Sequence, residues 1–236
     1  MSKKQLLLFV LATLPFFGTK GQSINTRIEA DYSIKEVLPS GKQSLVMGRV
    51  FYDINQKTLT HHHTFPQEQI LLYKDTVAYL VKGEDVKRLP GSSFTVNFSI
   101  YHLILSNKAS NFGLDEYGYS LIDTERIEDK IVTKWAHPDL GAGHIVITQI
   151  RNLVDGVIFY SGENEVLIRQ FFKNYETFGR YRIPTKIFEI VSLGDGELKK
   201  MTEHKNIKID DYSDEADYYD CFSLRVAPLI RTGKVN

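Results

Sequence analysis

The chain has 236 residues with 29 Lys and Arg against 29 Asp and Glu, and a single cysteine. That balance removes the electrostatic basis for nucleic-acid binding, and one cysteine excludes an intramolecular disulfide, so the fold must rest on its core. No Gly-rich phosphate loop, Gly-x-Ser-x-Gly elbow or His-Glu-x-x-His pair is present, and no enzyme class is indicated.

Lys3 and Lys4 precede an apolar run from Leu6 to Phe17 and then Gly18-Thr19-Lys20-Gly21-Gln22. This order predicts a secretory signal peptide over residues 1–22, cut near Gly21 or Gln22, because the apolar run is too short and wrongly flanked to span a bilayer. Lys3, Lys4 and Lys20 would leave with it, so 26 basic residues would face 29 acidic ones. Residues 23–236 then read as one exported domain.

Period-two alternation dominates the rest of the chain. Ile28, Ala30, Tyr32 and Ile34 alternate with polar residues, and Pro39-Ser40-Gly41-Lys42 offers a turn. Leu45 to Asp53 returns with Val46, Gly48, Val50 and Tyr52 on one face. Leu59 to Phe65 comes next and stops at Pro66, which cannot donate to a central ladder. Gln69 to Tyr73, a turn at Lys74-Asp75, and Thr76 to Lys82 continue the pattern. Phe94 to Ser106 fits a helical face better than alternation. Strands are then expected over 119–123, 130–136 and 145–153, with a hairpin turning at Asp155-Gly156 into 157–160. Further strands cover 166–172, 185–193 and 198–209, with Asp195-Gly196 as a turn, and a short helix or turn is expected within 210–220. The fold class is therefore mainly β, a single large antiparallel sheet with one or two helices. Cys221 reads as a small buried apolar residue.

Asp210 to Asp217 has the acidity of a calcium loop but lacks its sixth-position glycine, and His137, Asp139 and His144 fall in a loop, so His61-His62-His63 is the first cluster to weigh for chemistry. On a strand, His61 and His63 share a face and His62 opposes them. Two such histidines can chelate zinc or copper only with further ligands, for which His102 and His204 are the candidates. The alternative is that they line a partly wet surface, and no metal or cofactor is assigned. By strand parity, the predicted wall of an apolar face is Val46, Val50 and Tyr52, then Leu59, then Ile70 and Leu72.

Gly48-Arg49-Val50-Phe51-Tyr52, Leu59-Thr60-His61-His62-His63-Thr64-Phe65-Pro66 and Ile70 to Tyr79 together resemble the first strands of periplasmic lipoprotein carriers of the LolA type and related lipoprotein-sorting proteins. A helix after the apolar hairpin, at Phe94 to Ser106, matches the family order. The resemblance implies an incomplete antiparallel barrel, or strongly curved sheet, with helices in its concave face. It implies a non-enzymatic periplasmic or secreted carrier whose partners are lipid or lipoprotein acyl chains and a membrane-embedded donor or acceptor. Counting back from Pro66, it places His61 and His63 with Leu59 in the cavity lining, where carriers place large apolar residues. That would make the interior more polar, and pH-sensitive near neutrality. The chain departs from the family at Arg27 to Val37, a strand where carriers begin with a helix. It departs again at Asp53-Ile54-Asn55-Gln56, where they carry Arg-Pro. Holding acyl chains is thus implied more directly than an energy-coupled hand-off. Two other readings stand beside it: an exported β-sheet module for a protein or glycan, and a metal- or thiol-dependent enzyme using His61, His63 or Cys221.

Overall fold

Alternating side chains commit most of the sequence to strands, and in the computed structural model these join into one sheet. The structure describes residues 27–90, 96–210, 216–232 and 235; the expected signal peptide lies outside them. β1 (Arg27–Val37), β2 (Gln43–Asp53), β3 (Thr58–Phe65), β4 (Gln69–Lys74), β5 (Val77–Lys82) and β6 (Asp85–Leu89) form one antiparallel run. β7 (Ser120–Ile127), β8 (Lys130–Ala136), β9 (His144–Ile150), β10 (Leu153–Tyr160), β11 (Val166–Phe178), β12 (Tyr181–Leu193) and β13 (Gly196–Ile209) form the other. β1 pairs with β13, so the strand order is β6-β5-β4-β3-β2-β1-β13-β12-β11-β10-β9-β8-β7, an open curved sheet rather than a closed barrel.

One face of this sheet wraps a short helix, α1 (Ile100–Leu105), all six residues of which are buried. A helix apolar on every side belongs at a core rather than on a surface. Ser99 caps it, its Oγ accepting from the His102 N–H at 3.2 Å, which satisfies one of the orphan donors of the first turn. Of the helix expected over 94–106, residues 94 and 95 lie outside the described residues, and the α-helical part of the rest is Ile100–Leu105. Val96–Phe98 is a 3-10 turn, and Ala109–Asn111 and Leu114–Tyr117 are two more. Ile28, Ala30, Tyr32, Val50, Tyr52, Leu59, Ile147, Val157, Phe172 and Ile183 from the strands surround α1 with its own Leu103 and Ile104.

The opposite face carries a second cluster. α2 (Ala216–Tyr219), a π-helical turn (Phe222–Val226) and α3 (Ala227–Arg231) cross the outside of the first strands. There Cys221 and Val226 pack with Ile70, Leu72, Tyr79, Val81 and Val86. Cys221 is fully buried and unbonded, and burial pushes its thiol pKa up, so it is held as the neutral thiol.

Three turns differ from expectation. Asp75-Thr76, one residue later than expected, connects β4 to β5, because Lys74 pairs with Val77. Asp155-Gly156 lies inside β10, at a bulge where Val154 and Gly156 face the successive residues Gln149 and Thr148. The hairpin turns instead at Arg151-Asn152, whose φ angles are 51° and 63°. Glycine suits position 156 for a different reason. A Cβ there would lie 3.2 Å from the Phe171 ring and 3.3 Å from the Gln170 carbonyl, so the glycine serves close packing rather than a turn. Likewise Gly194-Asp195, one residue earlier than expected, connects β12 to β13, because Leu193 pairs with Gly196. Since two non-glycine residues occupy left-handed backbone at 151 and 152, Arg151→Asn combined with Asn152→Gly should raise stability by about 1 kcal/mol, measured by urea denaturation.

Candidate functional site

The concave face leaves a cavity of about 380 Å³ between the sheet and α1, within the usual range for small-molecule sites. Its floor is built in cross-strand rows, because directly paired residues of antiparallel strands share a face. One row is Val46, Ile34, Thr202, Ile187 and Phe172, running across β2, β1, β13, β12 and β11. Toward the turn end of β1 the next row is Glu36, Lys200, Glu189 and Gln170. Lys200 Nζ pairs with Glu189, and Gln170 Nε2 donates to Glu189 at 2.6 Å. On the other side of the apolar row lie His63, Gly48, Tyr32 and His204, of which His63 and His204 line the cavity. β3 and β4 supply one wall with Leu59, His61, His63, Leu71 and Tyr73, and Phe98, Ile100, Tyr101 and Phe112 close the roof.

Beside the charged row, imidazoles and phenols form a second polar part of the lining: His61, His63, His204, Tyr73 and Tyr101. His61 stands edge-on to Tyr32 at 5.2 Å, to Tyr73 at 6.1 Å and to His63 at 6.4 Å between ring centroids. Tyr101 and His204 share a hydrogen bond of 2.7 Å between the phenol oxygen and Nε2. Burial, reinforced by His63, His204 and Lys200, pushes His61 down to about pKa 3. Burial brings His204 to about 4, with the Pro184 carbonyl opposing the shift. His63 is also lowered, by burial and then by His62, while Gln69 Nε2 lies 3.2 Å from its Nδ1. Burial holds Tyr32 and Tyr101 well above the ordinary phenol range. At neutral pH the lining imidazoles are therefore uncharged, and the pH sensitivity near neutrality suggested by the sequence is displaced to acid.

The residues singled out from the sequence divide into three groups. Val46, Leu59, His61 and His63 line the cavity. Val50 and Tyr52 share that face but lie under the helix, where the Tyr52 hydroxyl meets His102 Nδ1 at 2.7 Å and both Val50 and Tyr52 are fully buried. Ile70 and Leu72 are on the opposite face, packed with Cys221 and Val226, and this corrects their expected place in the lining. The reason is register: His61 pairs with Leu71 and Leu59 with Tyr73, so Leu71 and Tyr73 take the concave side. Ile70-Leu71-Leu72-Tyr73 is apolar on both faces, and parity could not be read from it. His62 points away from the cavity and stacks on Tyr218 with ring centroids 4.6 Å apart.

Sequence reasoning missed Phe98, Tyr101, Phe112, Phe172 and Ile187 as lining residues. The only signal for Phe172 and Ile187 was alternation in β11 and β12, which does not say that these strands reach the same cavity as β3. His204 comes near His61, whereas His102 lies against Tyr52. Among the described residues no group of three His, Cys, Asp or Glu side chains is arranged to hold a metal ion.

An open curved antiparallel sheet around a buried helix, with an apolar concavity between them, defines the architectural class. Solved structures share it. A LolA superfamily protein from Nitrosomonas europaea is 16% identical over 82% of this chain and 90% of that one, with a TM-score of 0.57. A domain from Vibrio parahaemolyticus named for outer membrane lipoprotein sorting is 13% identical over 83% and 90%, with a TM-score of 0.58. A DUF1329 family protein from Desulfovibrio piger is 12% identical over 83% and 90%, with a TM-score of 0.56. The chain thus has the LolA-like fold. No family model matches the sequence, and no curated protein matches it.

Proposed function

We propose that the protein is a non-enzymatic, exported carrier or binder of lipid or lipoprotein acyl chains, working in the periplasm or beyond it. The observation that carries this reading is the concavity, whose floor and roof are mainly apolar from Val46 to Phe172 and from Phe98 to Phe112. Chains entering it would be stabilised by roughly 0.8 kcal/mol per methylene removed from water. The likeness to LolA-superfamily and lipoprotein-sorting structures supports it, as does the leader-like N-terminus. A membrane-embedded donor or acceptor would load or unload the cavity. Val46, Leu59, His61 and His63 are the wall residues proposed from both sequence and placement, joined by Leu71, Tyr73 and Phe172.

A second reading, an exported module that binds a protein or glycan, is favoured by one feature. β7 is exposed along its length at an edge of the sheet and carries exposed Leu121, Ile122 and Ile127. Mass spectrometry of lipid extracted from the purified protein separates the two. An acyl-bearing molecule is expected in the extract, with tight binding of a fluorescent fatty-acid probe that Thr202→Trp, which fills the middle of the floor, reduces at least tenfold. Absence of both an extracted lipid and probe binding would leave the second reading.

A further inference from the structure

The cavity is closed at one end and open at the other, and its charges stand at the open end. Along the concave side of β1, Ile28, Ala30 and Tyr32 are 0, 1 and 4% exposed, Ile34 and Glu36 are half-buried, and Leu38 just past the strand is 39% exposed. β12 and β13 repeat this gradient, from buried Ile183 and His204 to half-buried Glu189 and Lys200. An amphiphile whose tail crosses the apolar row toward His204 therefore leaves its head at Glu36, Lys200, Glu189 and Gln170. These are not the outermost residues of the face. Val191 pairs with Ile168 and with Leu198 two residues further out along the strands, and all three are half-buried. Charges held between two apolar rows are partly desolvated, so their balance acts more strongly on a neighbouring group than open surface charge does.

That balance is negative. The described lining contains two carboxylates, Glu36 and Glu189, against the ammonium of Lys200. Lys200 Nζ pairs with Glu189, which also accepts from Gln170, so this cation is already neutralised. Glu36 lies opposite Lys200 in the β1–β13 ladder, but it accepts only from the Ser44 hydroxyl, at 3.0 Å, and no cation pairs with it among the described residues. Burial keeps His61, His63 and His204 uncharged at neutral pH, so no imidazolium offsets it. A half-buried carboxylate without a counter-ion, at the mouth of an apolar cavity, suits a cationic head and repels an anionic one.

Resting on the acyl-chain reading, we propose that Glu36 receives an ammonium group at the head of the amphiphile, so that the cavity selects amine-bearing amphiphiles over anionic ones with the same chain. Such an ammonium can come from an ethanolamine phospholipid or from the free α-amine of a diacylated lipoprotein.

The test uses the full mature chain at pH 7.5 and low salt, with the fluorescent hydrocarbon diphenylhexatriene as the displaced probe. Dodecylamine, laurate and dodecyl maltoside serve as cationic, anionic and neutral competitors of one chain length. Dodecylamine should bind about fivefold more tightly than laurate, the upper range for an ion pair open to solvent, and high salt should shrink that ratio. The ratio should follow the charge of the row: it rises in Lys200→Met, falls to about one in Glu36→Gln, and inverts when Glu36→Gln and Glu189→Gln are combined. Thermal midpoints and displacement by dodecyl maltoside report whether each variant is folded. If the double variant does not fold, the opposite shifts of Lys200→Met and Glu36→Gln decide. For the source of the amine, lysophosphatidylethanolamine is compared with lysophosphatidylglycerol, and a diacylated lipopeptide carrying a free α-amine with its N-acetylated form. At least one amine should bind about fivefold more tightly than its amine-free counterpart; the larger gain identifies the source, and equal gains show that the ammonium alone is read. Equal affinity for dodecylamine and laurate, a ratio the variants leave unchanged, or no gain from either natural amine would overturn the headgroup site while leaving the acyl-chain reading intact. If neither diphenylhexatriene nor any amphiphile binds, the acyl-chain reading falls and the headgroup site falls with it.

Discussion

Gly48→Ala should destabilise the protein by about 3 kcal/mol, at the upper end for an overpacked site, read as a lower urea midpoint. Gly48 sits on β2 between Tyr32 on β1 and His63 on β3, where the register of β2 against β3 shifts. A Cβ there would lie 2.1 Å from the His62 carbonyl oxygen and 2.9 Å from both the His62 carbonyl carbon and the His63 Cα. Each obstruction is backbone, so no side chain can swing aside, and β3 itself would have to move. The small entropic gain from replacing a strand glycine, about 0.5–1 kcal/mol, does not offset this. Movement of β3 would also displace His61 and His63, so probe binding should weaken together with stability. Gly194→Ala is the control: nothing lies within 4 Å of its Cβ position, and its effect should stay within about 0.5 kcal/mol. Equal midpoints for the two variants would show that β3 yields at little cost.

Gly48 also marks the boundary between what the sequence makes legible and what it hides. The alternation of β1, β2 and β3 comes directly from side-chain period, and with it the opposite pointing of His62 from His61 and His63. Where one face is polar, as in β1, the inward set Ile28, Ala30, Tyr32 and Ile34 can be read without coordinates. Where both faces are apolar, the pattern carries no parity, and Ile70 and Leu72 exchange places with Leu71 and Tyr73. That double-sided character has its own cause: the outer face of β4 is covered by Cys221 and Val226, from the far end of the chain. Long-range pairing is equally unreadable. β1 meets β13 across most of the sequence, with Asp31 opposite Lys205, and only that pairing brings Thr202, His204, Ile187 and Phe172 to the cavity. Local glycine chemistry misled once, because Gly156 avoids Phe171 in a bulge while Arg151 and Asn152 make the turn.

Acidification should weaken the fold well before it charges the cavity. In the unfolded chain His61 and His204 take up a proton near pH 6.5, whereas in the fold they do so only near 3 and 4. Below pH 6.5 the unfolded state therefore binds more protons, and stability must fall as pH falls. It is fully present above 6.5 and is lost progressively down to the folded values. By pH 5 each histidine contributes a loss of roughly 2 kcal/mol, about 4 together, a large share of a typical domain's stability. His63 shifts in the same direction and adds to it. The groups facing His61 are Tyr32, Tyr73, His63, His204 and Lys200, none of which supplies a carboxylate to hold an imidazolium. His204 faces Tyr101 and the Pro184 carbonyl. Urea midpoints at pH 7.5, 6 and 5 should fall steeply for wild type and much less for a variant combining His61→Gln and His204→Gln. An unchanged slope in that variant would place the acid sensitivity elsewhere in the chain. Because protonation is linked to unfolding rather than to a charged folded state, lipid affinity per folded molecule should stay level from pH 8 to 6. The histidines would then act as permanent neutral hydrogen-bonding groups, and any release of cargo would have to come from opening the sheet around α1 rather than from charging its lining.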